Sequence, residues 1–336
     1  MIYEKPLIIC LTPIKNESWI LNRFLKCASL WADKIIISDQ GSEDNSKEIA
    51  RSYPKVTLIE NPVDDYDEYR VRNVLYDEAR KINGQKLLIA MDADETFTPD
   101  YDKTDDWQRL LEANPGTIIK SRFVNIRPDM KNYWFGPFNL PWGFMDDGSP
   151  YIADKIHTSR MIEPGGAEIL LINDFYIMHY QYADWDRMSS KHRWYQCWER
   201  INNPKKSAIE IYRGYHHMYS IKKEDLKVLP DEWFEDYLKL GINIMDIKKD
   251  TNYYWDKKVL DYFDTFSTSL FIKESIWDID WTKKANSYRL SSNDKYKDPR
   301  NIFIKLVHSW LRITQPFYKK FFVRGIDKLL KTLFGW

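Results

Sequence analysis

Apolar and polar positions alternate in blocks over the first hundred residues. Leu7 to Leu11 is a short apolar run closed by Thr12-Pro13. From Glu17 to Ala32, Trp19, Ile20, Phe24, Ala28 and Trp31 recur at helical steps, which predicts an amphipathic helix. Lys34 to Ser38 is a β-branched strand, followed by the turn-forming cluster Asp39-Gln-Gly-Ser-Glu-Asp-Asn and a short helix through Ile49. Val56 to Ile59 reads as a third strand, Tyr69 to Ile82 as a second long helix, and Lys86 to Met91 as a fourth strand ending in Asp92-Ala-Asp-Glu95. This alternation predicts an α/β fold with a mostly parallel sheet covered by helices on both faces. The strands are apolar without a two-residue period, as doubly covered strands require. Open sheets of this kind bind ligands beyond the carboxyl ends of their strands. Those ends are Thr12, Asp39, Glu60 and Asp92, so polar residues gather on one edge.

After Glu95 the pattern loosens. Residues 101–115 predict a helix, and Thr117 to Asn125 a strand. The stretch from Asp129 to Ser149 is aromatic and broken by Gly and Pro, which predicts a long loop over the site. Tyr151 to Ile162 and Ala167 to Met178 predict strands on either side of a Pro164-Gly-Gly turn, and from Asp184 onward the chain reads as helical. The organisation expected is a main domain over 1–200, with a nucleotide-binding half near 1–100 and an acceptor half near 101–200. A helical extension follows over 201–300, then basic amphipathic helices over 301–336.

Composition sharpens this picture at three points. The chain of 336 residues is 43% apolar and 30% charged, enough for a full core. Its 50 basic residues balance 50 acidic ones, which excludes a protein that coats nucleic acid. The balance hides a split: residues 301–336 hold seven basic residues and one acid, Asp327, so this tail carries +6 and the rest −6. Cys10, Cys27 and Cys197 have neither disulfide-framework nor metal-ligand spacing, and the N-terminus shows no leader. A reducing, cytoplasmic setting is therefore expected.

The chemistry concentrates at Asp92-Ala-Asp94. Two carboxylates at i and i+2 on a strand end suit an oxygen-loving divalent cation that in turn holds a diphosphate. An acidic cap in solvent is the plain alternative for that motif alone. Three other groups converge on the same edge: Pro13-Ile-Lys-Asn16-Glu17, Ser38-Asp39-Gln-Gly-Ser42, and Arg70-Val-Arg72-Asn73. For Asp39 the alternative is a helix cap, and for Arg72 a surface ion pair with the acidic run at 64–68.

Taken together, these four motifs resemble the GT-A glycosyltransferases of family 2 in order and spacing, over roughly residues 5–200. The resemblance implies a nucleotide-sugar donor (a UDP- or GDP-sugar) and Mn²⁺ or Mg²⁺. It implies that Thr12, Pro13, Glu17, Asp39, Arg72 and Asp92 line the donor site and that Asp92 and Asp94 hold the metal–diphosphate. His179 of His179-Tyr180 would complete the metal shell, a core histidine being the other reading. The base of an inverting transfer would be a carboxylate, with Asp154 preferred over Asp147 and with Asp146 beside them. Relatives often carry His-Glu where this chain has His157-Thr158, so the resemblance does not name the base. Lys191-His192-Arg193-Trp194 lacks the Gln-x-x-Arg-Trp of processive members, which implies single transfers, here in cell-envelope polysaccharide synthesis. Tyr133-Trp134-Phe135 and Trp142 are candidates to stack on an acceptor sugar, or simply core filler.

Two other classes compete. Asp92-x-Asp94-x-Thr96 also resembles the nucleophile motif of haloacid-dehalogenase phosphatases, and a non-catalytic carbohydrate-binding protein would use the aromatics alone. No Gly-x-Gly-x-x-Gly follows the first strand, which argues against a nicotinamide dehydrogenase. In the basic tail, apolar residues at 318, 321, 322, 326, 329, 330, 333 and 334 share one helical face, with Lys319, Lys320, Arg324, Lys328 and Lys331 off it. Such a helix lies in an anionic membrane interface or packs on its own protein. The glycan or lipid-linked acceptor implied by the resemblance favours peripheral attachment to the inner face of the membrane.

Overall fold

The computed structural model describes residues 5–62, 67–152, 159–250, 252–290 and 294–336. The expected alternation is present at its start: β1 (Leu7–Ile14), α1 (Leu21–Trp31), β2 (Lys34–Asp39), α2 (Ser46–Arg51), β3 (Val56–Glu60), α3 (Glu68–Arg80) and β4 (Lys86–Ala90). The four strands pair in parallel in the order β3-β2-β1-β4. Their side chains divide between two faces. Ile8, Cys10, Ile35, Ile37, Leu87 and Ile89 pack with Phe24, Ala28 and Trp31 of α1. Ile9, Leu11, Ile36, Leu88 and Ala90 pack with Leu75, Tyr76 and Ala79 of α3. Both faces are therefore apolar, which is why these strands show no alternation in sequence.

Beyond β4 follow β5 (Glu95–Phe97), α4 (Asp105–Leu111), β6 (Ile118–Ile126), β7 (Asn132–Met145), β8 (Ile169–Leu171) and β9 (Ile177–His179). The sheet continues β4-β7-β6-β9-β5, with β7 antiparallel to both β4 and β6. This corrects the expected loop over 129–149, most of which is β7. Two Pro and two Gly hide that strand from a pattern reading. Register shifts between Ile119 and Lys120 and between Arg122 and Val124 absorb them. Gly143 also gives the close approach that Ile119 needs, since a Cβ there would lie 3.1 Å from Ile119 Cβ. The strand expected over 151–162 is absent among its described residues, and that over 167–178 is two short strands, β8 and β9. The turn between those two is held by Asp106, whose Oδ2 accepts from Asn173 N at 2.6 Å and Asp174 N at 3.0 Å.

The remaining elements are α5 (Trp185–Asn202), α6 (Ala208–Tyr215), β10 (Lys227–Val228), α7 (Glu232–Lys239), α8 (Tyr254–Phe266), α9 (Trp281–Ser287), α10 (Ile302–Thr314) and α11 (Phe321–Phe334). The chain divides into two compact units, residues 1–183 with 227–249, and residues 184–226 with 250–336. In the first, β10 extends the sheet on β7, and the buried Tyr237 of α7 donates to Phe97 O at 2.9 Å. The second is helical and is laced by buried ion pairs. Asp256 takes Arg193 and Lys284, Glu274 takes Arg200, and Asp327 takes Arg213. Ile304, Val307 and Leu311 of α10 and Leu330 of α11 pack with Ala208, Ile209 and Tyr212 of α6. No described helix is long and apolar enough to cross a membrane.

Candidate active site at the strand ends

The loops after β1 and β2 are tied into one frame. Asn16 N donates to Ser42 Oγ at 2.9 Å, Glu43 N to Asn16 Oδ1 at 2.8 Å, and Glu17 N to Ser46 Oγ at 2.8 Å. Asn16 sits at φ 56°, a left-handed conformation that Asn tolerates better than most residues. Lys15 Nζ donates to Gln40 O at 2.8 Å, closing the frame from the other side. Thr12 is fully buried beneath it, beside Cys10, and Pro13 pairs across the sheet with Ser38. Glu17 accepts from the Trp19 indole at 2.6 Å. Asp39 is buried, and its carboxylate accepts from Gly41 N at 3.1 Å and Ser42 N at 3.1 Å. It therefore caps its own loop rather than α2, whose N-cap is Asn45.

Asp92, two residues past β4, is held from two sides. Arg72 of α3 donates through Nη2 to Asp92 Oδ1 at 3.2 Å, and Arg160 Nη2 donates to Asp92 Oδ2 at 3.3 Å. The helix α3 positions both cations. Arg72 lies on its inner face, and one turn later Tyr76 Oη donates to Arg160 O at 2.5 Å. Tyr151 stacks on Tyr69 and donates to Ser159 O at 2.8 Å, which fixes the start of the same segment.

The chain turns after Asp92 into β5, which runs antiparallel to β9 and pairs Glu95 directly with His179. Glu95 is 1% exposed. Its Oε2 accepts from Asp92 N at 3.0 Å and from Arg160 Nη1 at 2.5 Å. Its Oε1 is buried without a hydrogen-bond partner among the described residues and lies 4.0 Å from His179 Nε2. Asp94 Oδ2 lies 3.7 Å from the same nitrogen. One ligand atom each from Asp94, Glu95 and His179 falls within 4.8 Å of the others. Burial raises the Glu95 carboxyl above the ordinary range and the Asp92 charge adds to this, against the pull of Arg160. Burial works against the charge on Arg160, but Asp92 and Glu95 outweigh it and raise its pKa.

Of the expected residues, Asp92, Asp94, Arg72 and His179 are thus brought together, Thr12, Pro13 and Asp39 sit at the ends of the adjoining strands β1 and β2, and Glu17 is in the loop after β1. Asp92 is not in the three-residue cluster that could hold a cation; Glu95 takes that place. Asp147 is displaced. Antiparallel β7 ends where β4 begins, with Met145 opposite Leu87, so Asp147 lies on the other edge of the sheet, about 20 Å from Asp92 along the strand. Asp146 is held there by Arg80, Nη2 to Oδ1 at 2.7 Å. Asp154 lies outside the described residues. Trp142 is fully buried, its indole donating to Ser121 Oγ at 2.9 Å, and Tyr133 and Trp134 are also core residues. Arg193 of the helical unit is bound to Asp256 and Asp278.

Arg160 and the role of Glu95 escape a sequence reading. Glu95 stands in the motif but carries no mark separating it from a strand residue. Arg160 is far off in the chain, and contacts made by Tyr76, Tyr151 and Glu95 bring it home.

Residues 10–162 match the glycosyl transferase family 2 model. No curated protein matches the chain. Many solved structures match, three of them as follows. A glucosyl-3-phosphoglycerate synthase from Mycobacterium tuberculosis, in complex with phosphoglyceric acid, is 19% identical with a TM-score of 0.27, over 35% of this chain and 44% of that one. A mannose-1-phosphate geranyltransferase from Thermus thermophilus is 16% identical with a TM-score of 0.27, over 43% and 51%. A 4-diphosphocytidyl-2C-methyl-D-erythritol synthase is 13% identical with a TM-score of 0.23, over 27% and 47%. The chain therefore matches about half the length of each. The mixed sheet, parallel through β3-β2-β1-β4 with helices on both faces, is the expected GT-A type of α/β fold. Residues 10–162, from β1 to the Arg160 segment, belong to glycosyl transferase family 2.

Proposed function

We propose that this domain transfers a sugar from a UDP- or GDP-sugar to a glycan or lipid-linked acceptor, with Mn²⁺ or Mg²⁺, by single inverting transfers. The setting is the cytoplasmic side of cell-envelope polysaccharide synthesis. The observation that carries the reading is the Asp94–Glu95–His179 cluster where β5 pairs with β9, its two carboxylates inside the family-2 segment. The residues fit such a cation: two carboxylates and an imidazole are a Mn²⁺-type donor set, and Glu95 Oε1 is a buried oxygen lacking a hydrogen-bond partner among the described residues. When bound, the ion would offset the charge of the departing nucleoside diphosphate.

The chain's own residues supply the rest. Asp39, by fixing Gly41 and Ser42, shapes the floor on which the base and ribose rest, beside Thr12, Pro13 and Glu17. Asp92 meets the ribose, its orientation set by Arg72 and Arg160. Those two guanidiniums also set a positive field for the diphosphate. For the base we propose Asp154, which takes the acceptor hydroxyl's proton as that oxygen attacks the anomeric carbon and the carbon–oxygen bond to the diphosphate breaks. Asp154→Asn should lower turnover by about a hundredfold or more with nucleotide affinity unchanged.

The test is calorimetry of UDP and GDP binding with and without Mn²⁺, on the intact chain and on Asp94→Ala. Metal-dependent binding lost in the variant is the expected result. No binding of either nucleotide, or binding indifferent to metal, overturns the reading and returns a plain carbohydrate-binding role. A phosphatase reaction through Asp92 is disfavoured because both oxygens of that carboxylate accept from guanidinium groups.

A further inference from the structure

The C-terminal helices keep much of their apolar surface bare. α11 docks through a seam at Val323, Asp327 and Leu330, and α10 through Ile304, Val307 and Leu311. The two helices adjoin: the Phe303 and Phe334 rings are 5.0 Å apart, and the Trp310 indole donates to Asp327 Oδ1 at 3.0 Å. Outside those seams, Ile302, Leu306 and Ile313 of α10 and Phe322, Leu329 and Leu333 of α11 are all more than half exposed. Phe321 is 93% exposed as well, so two adjoining helices carry seven large apolar side chains that face outward, which is more than scattered surface residues on a soluble monomer.

Charge says what covers this face. Arg312, Lys319, Lys320, Arg324 and Lys328 are exposed along the same two helices and the turn between them. The single acid of residues 301–336, Asp327, is withdrawn into the unit, where Arg213 binds it through Nε at 3.1 Å and Nη2 at 3.0 Å. Every exposed charge of the hairpin is therefore basic, on the same two helices as its bare apolar residues. A second copy of the chain would bring like charges against each other in a two-fold interface. A leaflet containing anionic lipid satisfies both features at once, taking leucine and phenylalanine side chains into the acyl boundary and phosphate oxygens onto the lysines and arginines. We infer that α10 and α11 form a peripheral attachment surface for an anionic lipid bilayer. The inference stands on the helical unit alone and does not depend on the transferase reading.

Deleting residues 301–336 would strip Leu311, Leu330 and Asp327 from the unit's interior, so point substitutions are the better probe. Flotation of the intact chain is measured with vesicles of phosphatidylcholine alone and with phosphatidylglycerol added to roughly one third. The chain should float with the second and not the first, and 0.5 M salt should weaken it. Leu329→Glu with Leu333→Glu should weaken binding about tenfold or more. Arg324→Glu with Lys328→Glu should do the same, and melting of both variants should stay that of the parent because all four positions are exposed. Failure to float with anionic vesicles, or equal flotation with both kinds, overturns the inference. So does a dimer in sedimentation equilibrium that the Leu329→Glu, Leu333→Glu chain loses, since the face would then belong to a second copy.

Discussion

Arg160 Nη1 donates to Glu95 Oε2 at 2.5 Å, and this contact ties the 159–162 segment to the start of β5 across sixty-five residues of chain. The same guanidinium reaches Asp92, so a buried glutamate and a half-exposed aspartate share one cation. Removing one partner of a buried pair leaves the other charge uncompensated.

Arg160→Met should therefore destabilise the first unit by about 3 kcal/mol or more in urea unfolding, and Arg160→Lys should recover only part of it. Lysine offers one compact charge where the guanidinium reaches two carboxylates. A loss below ~1 kcal/mol would mean that Glu95 is held neutral and does not need the cation.

Glu95→Gln separates stability from cation binding. The amide keeps the shape and the acceptor for Arg160 while removing a charge that burial disfavours. Its melting temperature without metal should stay within a few degrees of the parent, about 1 kcal/mol. Millimolar Mn²⁺ should raise the melting temperature of the parent and leave that of the variant unmoved. An equal rise in both would place the ion elsewhere.

The helical unit should weaken in mild acid. Burial holds His192 down to about 3 and His308 down to about 4. His308 is also fixed as the neutral form, since Arg300 donates to Nδ1 at 2.9 Å and Nε2 faces Lys273 O at 2.9 Å. A histidine with a depressed folded pKa binds protons only when unfolded over the interval between the two values. Stability contributed by these histidines is complete above about pH 6.5 and is lost as pH falls from there toward 4. The loss is up to about 1.4 kcal/mol per pH unit for each histidine. Melting at pH 7 and pH 5 should show it, and His308→Gln should reduce the difference.

Asp327 binds Arg213 by two nitrogens and also takes the Trp310 indole, so it fixes the rotation of α11 about its axis. Asp327→Asn should cost about 3 kcal/mol by thermal unfolding of the helical unit. Asp327→Asn with Arg213→Met should cost less than the single change, because no buried charge is then left alone. Strict additivity of the two would deny the coupling.

Local pattern alone determined the strand–helix order through Asp92, the layering of the parallel half, and the gathering of Thr12, Asp39, Arg72 and Asp92 at one edge. These follow from short-range periodicity and from the rule that parallel strands end on the same side. The stripe of α11 was equally legible, because residues four apart share a face whatever the rest of the chain does. Tertiary structure decided what depends on pairing over distance. β7 forms through a run of Pro and Gly because bulges opposite β6 absorb them, and its direction carries Asp147 to the far edge. The β5–β9 pairing sets His179 beside Glu95, and Tyr76 holds Arg160 where both carboxylates need it. Whether the C-terminal stripe turned inward was likewise settled by the Val323–Asp327–Leu330 seam. A buried ion pair shares that seam with Val323 and Leu330, while Phe321, Phe322, Leu329 and Leu333 lie outside it.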